Sequence, residues 1–200
     1  MVLPKVKFRY SWIYDQNWKI WLKVYDLTPV DLSFNQIYKR IERIEKSWSE
    51  HEKPILKEIS TISNLPWREK EILCYVVSRC IPFSDPLTIS ANFDDASQAV
   101  DVLTHELIHR LFAQEGNMQK SKMAWDYFQK KYSNEYLNVI THVVVHAFHM
   151  HIFLKFFNKK RLEREVKSLE LLPDYKRAWK IVFKEGYKEI IKSFAERVEK

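Results

Sequence analysis

Alternating apolar and polar residues at the start of the chain predict β-structure. Apolar side chains stand at every second position over residues 6–14 and again over residues 18–24, and the polar run Asp15-Gln16-Asn17 separates the two segments. A period of two is typical of strands that bury one face, and a short polar segment between two such strands is typical of a hairpin. We therefore expect an N-terminal β-hairpin that ends near Pro29.

Helical spacing replaces this alternation in most of the chain that follows. In residues 34–48, apolar side chains recur at intervals of three and four, which predicts an amphipathic helix. A short helix is expected to begin at Pro54, and further helices are expected over residues 67–79, 118–131 and 134–157. The chain beyond these helices is expected to form two or three charged helices.

Two more elements are expected between these helices. Residues 86–90 are a short strand candidate, and their proline favours a position near a sheet edge because proline cannot donate to a strand ladder. A helix is expected to begin at Asp94-Asp95, where acidic residues suit the positive end of the helix dipole. It should run to Gln114, with Gly116 as its C-cap.

The composition agrees with a folded, largely helical protein. In 200 residues, 46% are hydrophobic and only two are glycine, which disfavours all-β folds and glycine-rich phosphate loops. We expect one domain of the α+β class, mostly helical, with a small β-sheet. Its parts would be an N-terminal hairpin plus helix over residues 1–53, a core over residues 54–157 and a basic helical extension over residues 158–200.

The net charge of +7 is concentrated in the C-terminal extension. Residues 155–200 carry 14 Lys and Arg residues against 8 Asp and Glu residues. Basic surfaces can bind nucleic acid or anionic membranes, but mixed runs of both signs are typical of solvated helix faces. We therefore expect no nucleic-acid partner.

Several features favour a soluble protein of a reducing compartment. Cys74 and Cys80 match no zinc or redox spacing, and residues 1–16 contain no apolar signal segment. Residues 136–154 lack Asp, Glu, Lys and Arg over nearly the length of a membrane span, but they include four histidines, which are costly in lipid. We interpret this stretch as a buried helix, expect no transmembrane segment, and expect a cytoplasmic location.

The sequence His105-Glu106-Leu107-Ile108-His109 is an HExxH motif on a predicted helix, the context that this zinc-binding motif requires. His105 and His109 lie one turn apart on one face and can share a metal ion. Glu106 is rotated by about 100°, so it flanks the metal and can reach water bound there. An apolar stripe on the opposite face predicts packing into a core: Val100, Leu103, Leu107 and Leu111.

A catalytic zinc site needs a third protein ligand and an open position. The metzincin position for a third histidine is Glu115 here, and residues 110–141 contain no histidine, which also disfavours SprT-like peptidases. The third ligand is then expected on the later helix. Four candidate ligands share one stripe of that helix within about 60°: Glu135, His142, His146 and His149.

The motif helix followed by a helix with a Thr-His-Val-Val-Val-His-Ala segment resembles the gluzincins, and most closely the minigluzincins, small soluble relatives of membrane-embedded metallopeptidases. The resemblance covers about residues 54–157 and implies a zincin-like catalytic core. It implies His105, His109 and His142 as zinc ligands and Glu106 as the base.

The same resemblance gives His146 the place of a side chain that orients a ligand histidine. The pair Asn134-Glu135 imitates the Asn-Glu of thermolysin-like gluzincins, so Glu135 stays an alternative third ligand and His146 another. The hairpin and the C-terminal extension lie outside the minimal scaffold of the family. In zincins a strand placed like residues 86–90 pairs with extended substrate, a form of β-augmentation.

The expected function is therefore zinc-dependent hydrolysis of peptide bonds in peptides or unfolded proteins. Zinc activates a water molecule, and Glu106 acts as general base and then passes the proton to the leaving amine. His149, Tyr132 and Tyr136 are candidate oxyanion stabilisers. A latent form, with the C-terminal helices over the cleft, is compatible with this function. The alternative is a non-enzymatic zinc-stabilised module whose basic C-terminal surface binds a partner.

Overall fold

The computed structural model describes residues 2–93 and 95–199. Their contacts form two compact units, each built from separate stretches of the chain. The unit that we call the sheet unit comprises Val2–Pro54 and Glu69–Arg110, and the helical unit comprises Ile55–Arg68 and the chain from Leu111 onwards. The expected α+β, mostly helical class with a small sheet is confirmed.

The sheet unit contains one mixed four-stranded sheet. Its strands are β1 (Lys5–Arg9), β2 (Glu71–Val77), β3 (Phe83–Ser84) and β4 (Leu87–Ser90), in the order β1-β2-β4-β3. The β1–β2 and β2–β4 pairs are parallel, and β3 is antiparallel to β4. The strand expected at residues 86–90 is thus confirmed, and it lies near an edge as expected, although the two-residue strand β3 forms the edge itself.

The expected N-terminal β-hairpin is wrong. Strand β1 ends at Arg9, within the first segment, and the chain from the end of that segment through the second forms helix α1 (Trp12–Val24). The N-cap residue Ser11 accepts a hydrogen bond from the backbone N–H of Tyr14. The segment is apolar at so many positions that it fits both the period of two of a strand and the period of about 3.6 of a helix. In the helical form Asp15 and Leu22, seven residues apart, are buried together on one face.

The helix expected at residues 67–79 is also wrong, because strand β2 occupies this segment. Its side chains alternate between more and less buried positions, and Ile72, Cys74 and Val76 are fully buried. Short apolar runs rich in β-branched residues suit an interior strand, and their periodicity alone does not separate such a strand from a buried helix. Here the two parallel neighbours of β2 decide for the strand.

Three helices lie close to the positions expected for them. These are α2 (Phe34–Ser49), α3 (Glu52–Ser63) and α4 (Ala96–Ala113). The start of α2 is fixed by a capping box between Ser33 and Gln36. Asp94, one of the two acids expected to begin α4, lies outside the described residues. Because the boundary between the units falls within α3 and α4, each of these helices contributes residues to both units.

Six further helices form most of the helical unit. They are α5 (Asn117–Lys120), α6 (Lys122–Lys131), α7 (Leu137–Phe156), α8 (Lys159–Ser168), α9 (Pro173–Glu185) and α10 (Tyr187–Ala195). The single helix expected over residues 118–131 is interrupted at Ser121, and the helix expected from residue 134 begins three residues later. Gly116, with a φ of 79°, provides the left-handed conformation between α4 and α5.

Helix α7 is the centre of the helical unit. It is the one helix among the described residues that is long and apolar enough to cross a membrane, and 67% of its most apolar window is buried. Its surroundings include an aromatic cluster of Phe112, Trp125, Phe128, Phe148 and Phe194. Such burial is that of a core helix in a soluble protein, while the cytoplasmic location remains a prediction.

Helix α1 is tied to the end of β2 by a buried carboxylate, which generates a prediction about stability. Asp15 accepts hydrogen bonds from the backbone N–H and the hydroxyl of Ser78, and from the hydroxyl of Tyr10. Replacing Asp15 with alanine leaves the two buried donors of Ser78 unsatisfied and should lower the free energy of unfolding by about 3 kcal/mol.

Urea unfolding of the Asp15→Ala variant would measure this change. The Glu42→Ala variant is the control, because Glu42 is an exposed acid on α2. Equal stability of the two variants would contradict a structural role for the Asp15 contacts.

Candidate metal centre

The HExxH motif lies in the second half of α4, and the packing of the helix fixes the direction of its side chains. The stripe expected to face a core is confirmed, because Val100, Leu103, Leu107 and Leu111 are all fully buried. Four apolar contacts spread over three turns prevent rotation of the helix about its axis. The histidines on the other side are therefore held in a constant direction.

An ion-pair network anchors α4 directly after the motif. The Arg110 guanidinium makes a bidentate contact with Glu69, at 2.6 and 3.0 Å, and also contacts the carboxylate of Asp85 at 2.6 Å. A fourth hydrogen bond runs from Arg110 to the backbone carbonyl of Ser84. Bidentate arginine–carboxylate pairs are geometrically specific, so this network resists sliding of α4 along its axis.

The two motif histidines already have the separation of zinc ligands. The Nε2 atoms of His105 and His109 are 3.2 Å apart. Two nitrogens on a tetrahedral zinc ion, with zinc–nitrogen bonds of about 2.0–2.1 Å, are separated by about 3.4 Å. The close pair of ring nitrogens therefore fits one edge of such a coordination sphere.

Glu106 lies between the two histidines in sequence and is only 8% exposed. Its burial raises the pKa of its carboxyl group to about 8, because loss of water disfavours the charged form. Burial also raises the pKa of the Cys74 thiol on β2, and the nearby Glu106 carboxylate adds to this effect. Cys74 and Cys80 are free and buried.

His142, the expected third ligand, lies in the second turn of α7. Its Nδ1 donates a hydrogen bond of 2.8 Å to the backbone carbonyl of Asn138, so in the neutral ring Nε2 is the nitrogen without a proton, the form that binds a metal. Burial lowers the pKa of His142, only partly opposed by the Asn138 hydrogen bond and by Asp174, so the ring is neutral at neutral pH. Neutral imidazole with its other nitrogen bound to a carbonyl is the usual state of a metal-ligating histidine.

The structure brings the three histidines together. His105, His109 and His142 each offer a ring nitrogen, and these atoms all lie within 4.8 Å of one another. This largely buried group could hold a metal ion. Three imidazoles suit zinc, and they also suit copper, nickel and iron. No fourth His, Cys, Asp or Glu side chain belongs to the group within residues 2–93 and 95–199.

Glu135, the alternative third ligand, is not part of this group. It precedes α7 instead of lying in its first turn, because the helix begins only at Leu137. Its carboxylate forms an ion pair with Arg177 of α9, with an oxygen–nitrogen distance of 2.5 Å. The acid therefore has a structural partner of its own.

His146 lies one turn after His142 and is fully buried. Its ring stacks on the indole of Trp179 with centroids 4.2 Å apart, and its centroid is 5.3 Å from that of His142. This position beside a candidate ligand agrees with a role in orienting it, and that role remains a prediction.

The candidate oxyanion stabilisers occupy three different environments. His149 is buried against Phe153, with ring centroids 4.4 Å apart. Tyr132 donates its hydroxyl to Glu185 at 2.8 Å, and Tyr136 is 80% exposed just before α7. Their role in a reaction remains a prediction.

Substrate pairing along β4, expected from the resemblance to zincins, meets an obstacle. Strand β4 is hydrogen-bonded to β2 on one side and to β3 on the other. Phe83 and Ser84 of β3 occupy the positions opposite Thr88 and Leu87, so an extended peptide cannot pair with β4 there. An added strand would have to pair with an outer strand of the sheet.

Two residues near the histidines were missed in the sequence. The ring of Tyr175 on α9 lies 4.1 Å from that of His142, centroid to centroid. Asp101 is buried on α4, one turn before His105 on the same helix face. The spacing of four between Asp101 and His105 was a usable signal, whereas the contact of Tyr175 depends on how α9 packs against α7.

In comparisons with protein-family models, with curated proteins and with solved structures, nothing matches this chain. The resemblance to gluzincins therefore rests on the motif residues alone.

The raised pKa of Glu106 generates a prediction about the metal-free protein. The folded chain keeps this carboxyl protonated up to about pH 8, whereas the unfolded chain releases the proton near pH 4.5. The contribution of Glu106 to stability is therefore lost as the pH rises from 5 to 8, by up to about 1.4 kcal/mol per pH unit. The Glu106→Gln variant lacks this dependence.

Urea unfolding at several pH values, with a chelator present, would measure the difference between the two proteins. As the pH rises, the free energy of unfolding of the wild type should fall relative to that of the glutamine variant. A difference that is constant from pH 5 to 8 would show that Glu106 titrates normally.

Proposed function

We propose that the protein is a zinc-dependent peptidase that hydrolyses peptide bonds in peptides or unfolded proteins. The observation that carries the proposal is the group of three histidines, His105, His109 and His142, which bind a metal as neutral imidazoles. The acid Glu106 lies beside them in the motif and is not one of the ligands. Three protein ligands leave a coordination position open for a substrate or water, as hydrolysis requires.

Zinc, when held by these histidines, would supply the Lewis acidity that makes water acidic near neutral pH and polarises a peptide carbonyl. The histidines bind as neutral imidazoles, and the Asn138 carbonyl fixes the tautomer of His142. A cation beside Glu106 favours its charged form, so the protonated acid of the metal-free chain becomes a carboxylate. Glu106 then accepts the proton of the attacking water and delivers it to the leaving amine.

The alternative is a zinc-stabilised module without activity, whose basic C-terminal surface binds a partner. Structural zinc sites usually have four protein ligands, and only three are grouped among the residues that the structure describes. Such a module also has no use for a buried acid at the centre of the motif, since burial of an ionisable group without a role is costly. Both observations favour the peptidase.

The ligand assignment predicts a ranking of zinc affinities. The wild-type chain should bind about one equivalent of zinc, and His105→Ala and His142→Ala should each lose nearly all binding, because each removes one of three ligands. His146→Ala should weaken binding about 10- to 100-fold if its ring orients a ligand. Glu135→Ala should leave the affinity unchanged.

Competitive zinc titration of the four variants would measure this ranking. His151→Ala is a matched control, since His151 is also on α7 but its ring contacts Glu58 at 2.7 Å. Loss of zinc in Glu135→Ala, with retention in His142→Ala, would identify a glutamate-type site and overturn the assignment.

The proposed role of Glu106 predicts that activity and metal binding can be separated. The Glu106→Gln variant keeps all three ligands, so it should bind zinc like the wild type. Its zinc-dependent cleavage of unfolded casein should fall by a factor of about 100 or more, because the base is removed. The Glu115→Gln variant, which changes an exposed acid just after α4, should cleave like the wild type.

Casein cleavage by equal concentrations of zinc-loaded proteins would test this. Cleavage by Glu106→Gln at the wild-type rate would show that Glu106 is not the base. A zinc-loaded wild type without zinc-dependent cleavage would contradict the peptidase and favour the zinc-stabilised module.

A further inference from the structure

A second concave feature lies in the helical unit, apart from the three histidines. Helices α8 and α9 line its two sides, and Met150 and Leu154 of α7 contribute to its lining. We call it the C-terminal groove. Its volume of about 730 Å³ falls in the range of about 300–1,000 Å³ that is usual for sites of small organic ligands.

The lining of the C-terminal groove is mostly apolar. Six apolar side chains line it: Met150, Leu154, Leu162, Val166, Trp179 and Phe183. Leu154 is 40% exposed and Phe183 is 54% exposed. Covering these large apolar side chains with an apolar ligand would remove them from water, which is favourable.

The charged residues around the groove are mainly basic. Four lysines and two glutamates line it: Lys159, Lys167, Lys176, Lys180, Glu163 and Glu170. Each glutamate pairs with one lysine, Glu163 with Lys159 at 3.5 Å and Glu170 with Lys176 at 3.6 Å. Lys167 and Lys180 have no ion-pair partner within the described part of the chain, so an uncompensated positive charge remains beside the apolar lining.

We propose that the C-terminal groove binds an amphiphilic anion with an aliphatic chain, of the class of long-chain fatty acids. The chain covers the apolar lining, and the carboxylate lies with Lys167 and Lys180. An apolar ligand without charge would leave these lysines uncompensated, and a small anion would leave the lining exposed to water. A second copy of this chain is disfavoured, because the chain has a net charge of +7 and its C-terminal part is its most basic region.

The groove has a physical connection to the residues around His142. Phe183 stacks on Trp179 with centroids 5.6 Å apart, and Trp179 stacks in turn on His146. Because both Phe183 and Trp179 line the groove, an aliphatic chain bound there would contact this row of rings. Binding in the C-terminal groove does not require a metal, so it is tested on the metal-free full-length chain. Its outcome is independent of the proposed peptidase activity.

The first experiment is calorimetric titration with laurate, decanoate and dodecanol, each below the concentration at which it aggregates. Laurate should bind with one site per chain. Decanoate has two fewer CH₂ groups and should bind about tenfold more weakly if those groups are buried. Dodecanol has the same chain length without the charge and should also bind more weakly than laurate.

Two pairs of variants locate the site. Replacing Lys167 and Lys180 together with glutamine should lower the laurate affinity about five- to tenfold, whereas the same change at the exposed Lys184 and Lys188 should not. Leu154→Glu places a charge in the groove and should abolish binding. Leu171→Glu, at a side chain that is 92% exposed outside the groove, is its control.

Circular dichroism would establish that each variant is folded. If Leu154→Glu does not fold, the double variant of Lys167 and Lys180 still tests the proposal. Equal laurate affinities in the groove variants and their controls would overturn the proposal. Absence of saturable laurate binding to the wild type would overturn it as well. Dimers in light scattering that dissociate in Leu154→Glu, without laurate binding, would assign the groove to a second copy instead.

Discussion

The candidate centre depends on the rigidity of one helix. Two imidazoles four residues apart can share a metal only if the helix neither rotates nor slides, since a shift of about 1 Å in a ligand disrupts a coordination sphere. In α4 the apolar stripe opposes rotation, and the contacts of Arg110 with Glu69 and Asp85 oppose sliding. The 3.2 Å separation of the two ring nitrogens is the outcome of these constraints.

Burial has opposite effects on two groups of this site, and both effects suit metal chemistry. Loss of water lowers the pKa of His142, which keeps the ligand neutral, and it raises the pKa of Glu106. An isolated buried carboxylate is unfavourable, so Glu106 is stable there only as the neutral acid or beside a cation. The same environment therefore favours the metal-bound state of the site over a metal-free state with Glu106 ionised.

The long helices were predicted well from the sequence, and the short apolar elements were not. Helix α2 has the spacing of an amphipathic helix, and α4 and α7 are too long for strands. Residues 12–24 and 71–77 contain so many apolar side chains that helix and strand are equally compatible with these segments until a neighbouring element selects one. Residues 71–77 form a strand because they pair with β1 and β4. Strand β1 lies far before them in the chain, and β4 comes after them.

The same distinction applies to the site. His105, Glu106 and His109 were found from a local motif. The stripe on the later helix gave four candidates for the third ligand, and the resemblance to gluzincins selected His142 among them. Tyr175 and the partners of Arg110 left no local pattern, because their contacts join elements that are 25 or more residues apart in the chain. Prediction of such contacts requires the packing of whole helices and strands.

The buried thiols of Cys74 and Cys80 have a consequence for how this chain selects its metal ligands. Thiolates bind zinc strongly, but only the deprotonated sulfur is a ligand, and burial holds both thiols in their protonated form. The folded chain thus offers a metal ion no competing thiolate site. The Cys74 sulfur, fully buried on β2, becomes reactive only when the sheet opens, so its rate of alkylation measures how often the strands around β2 separate.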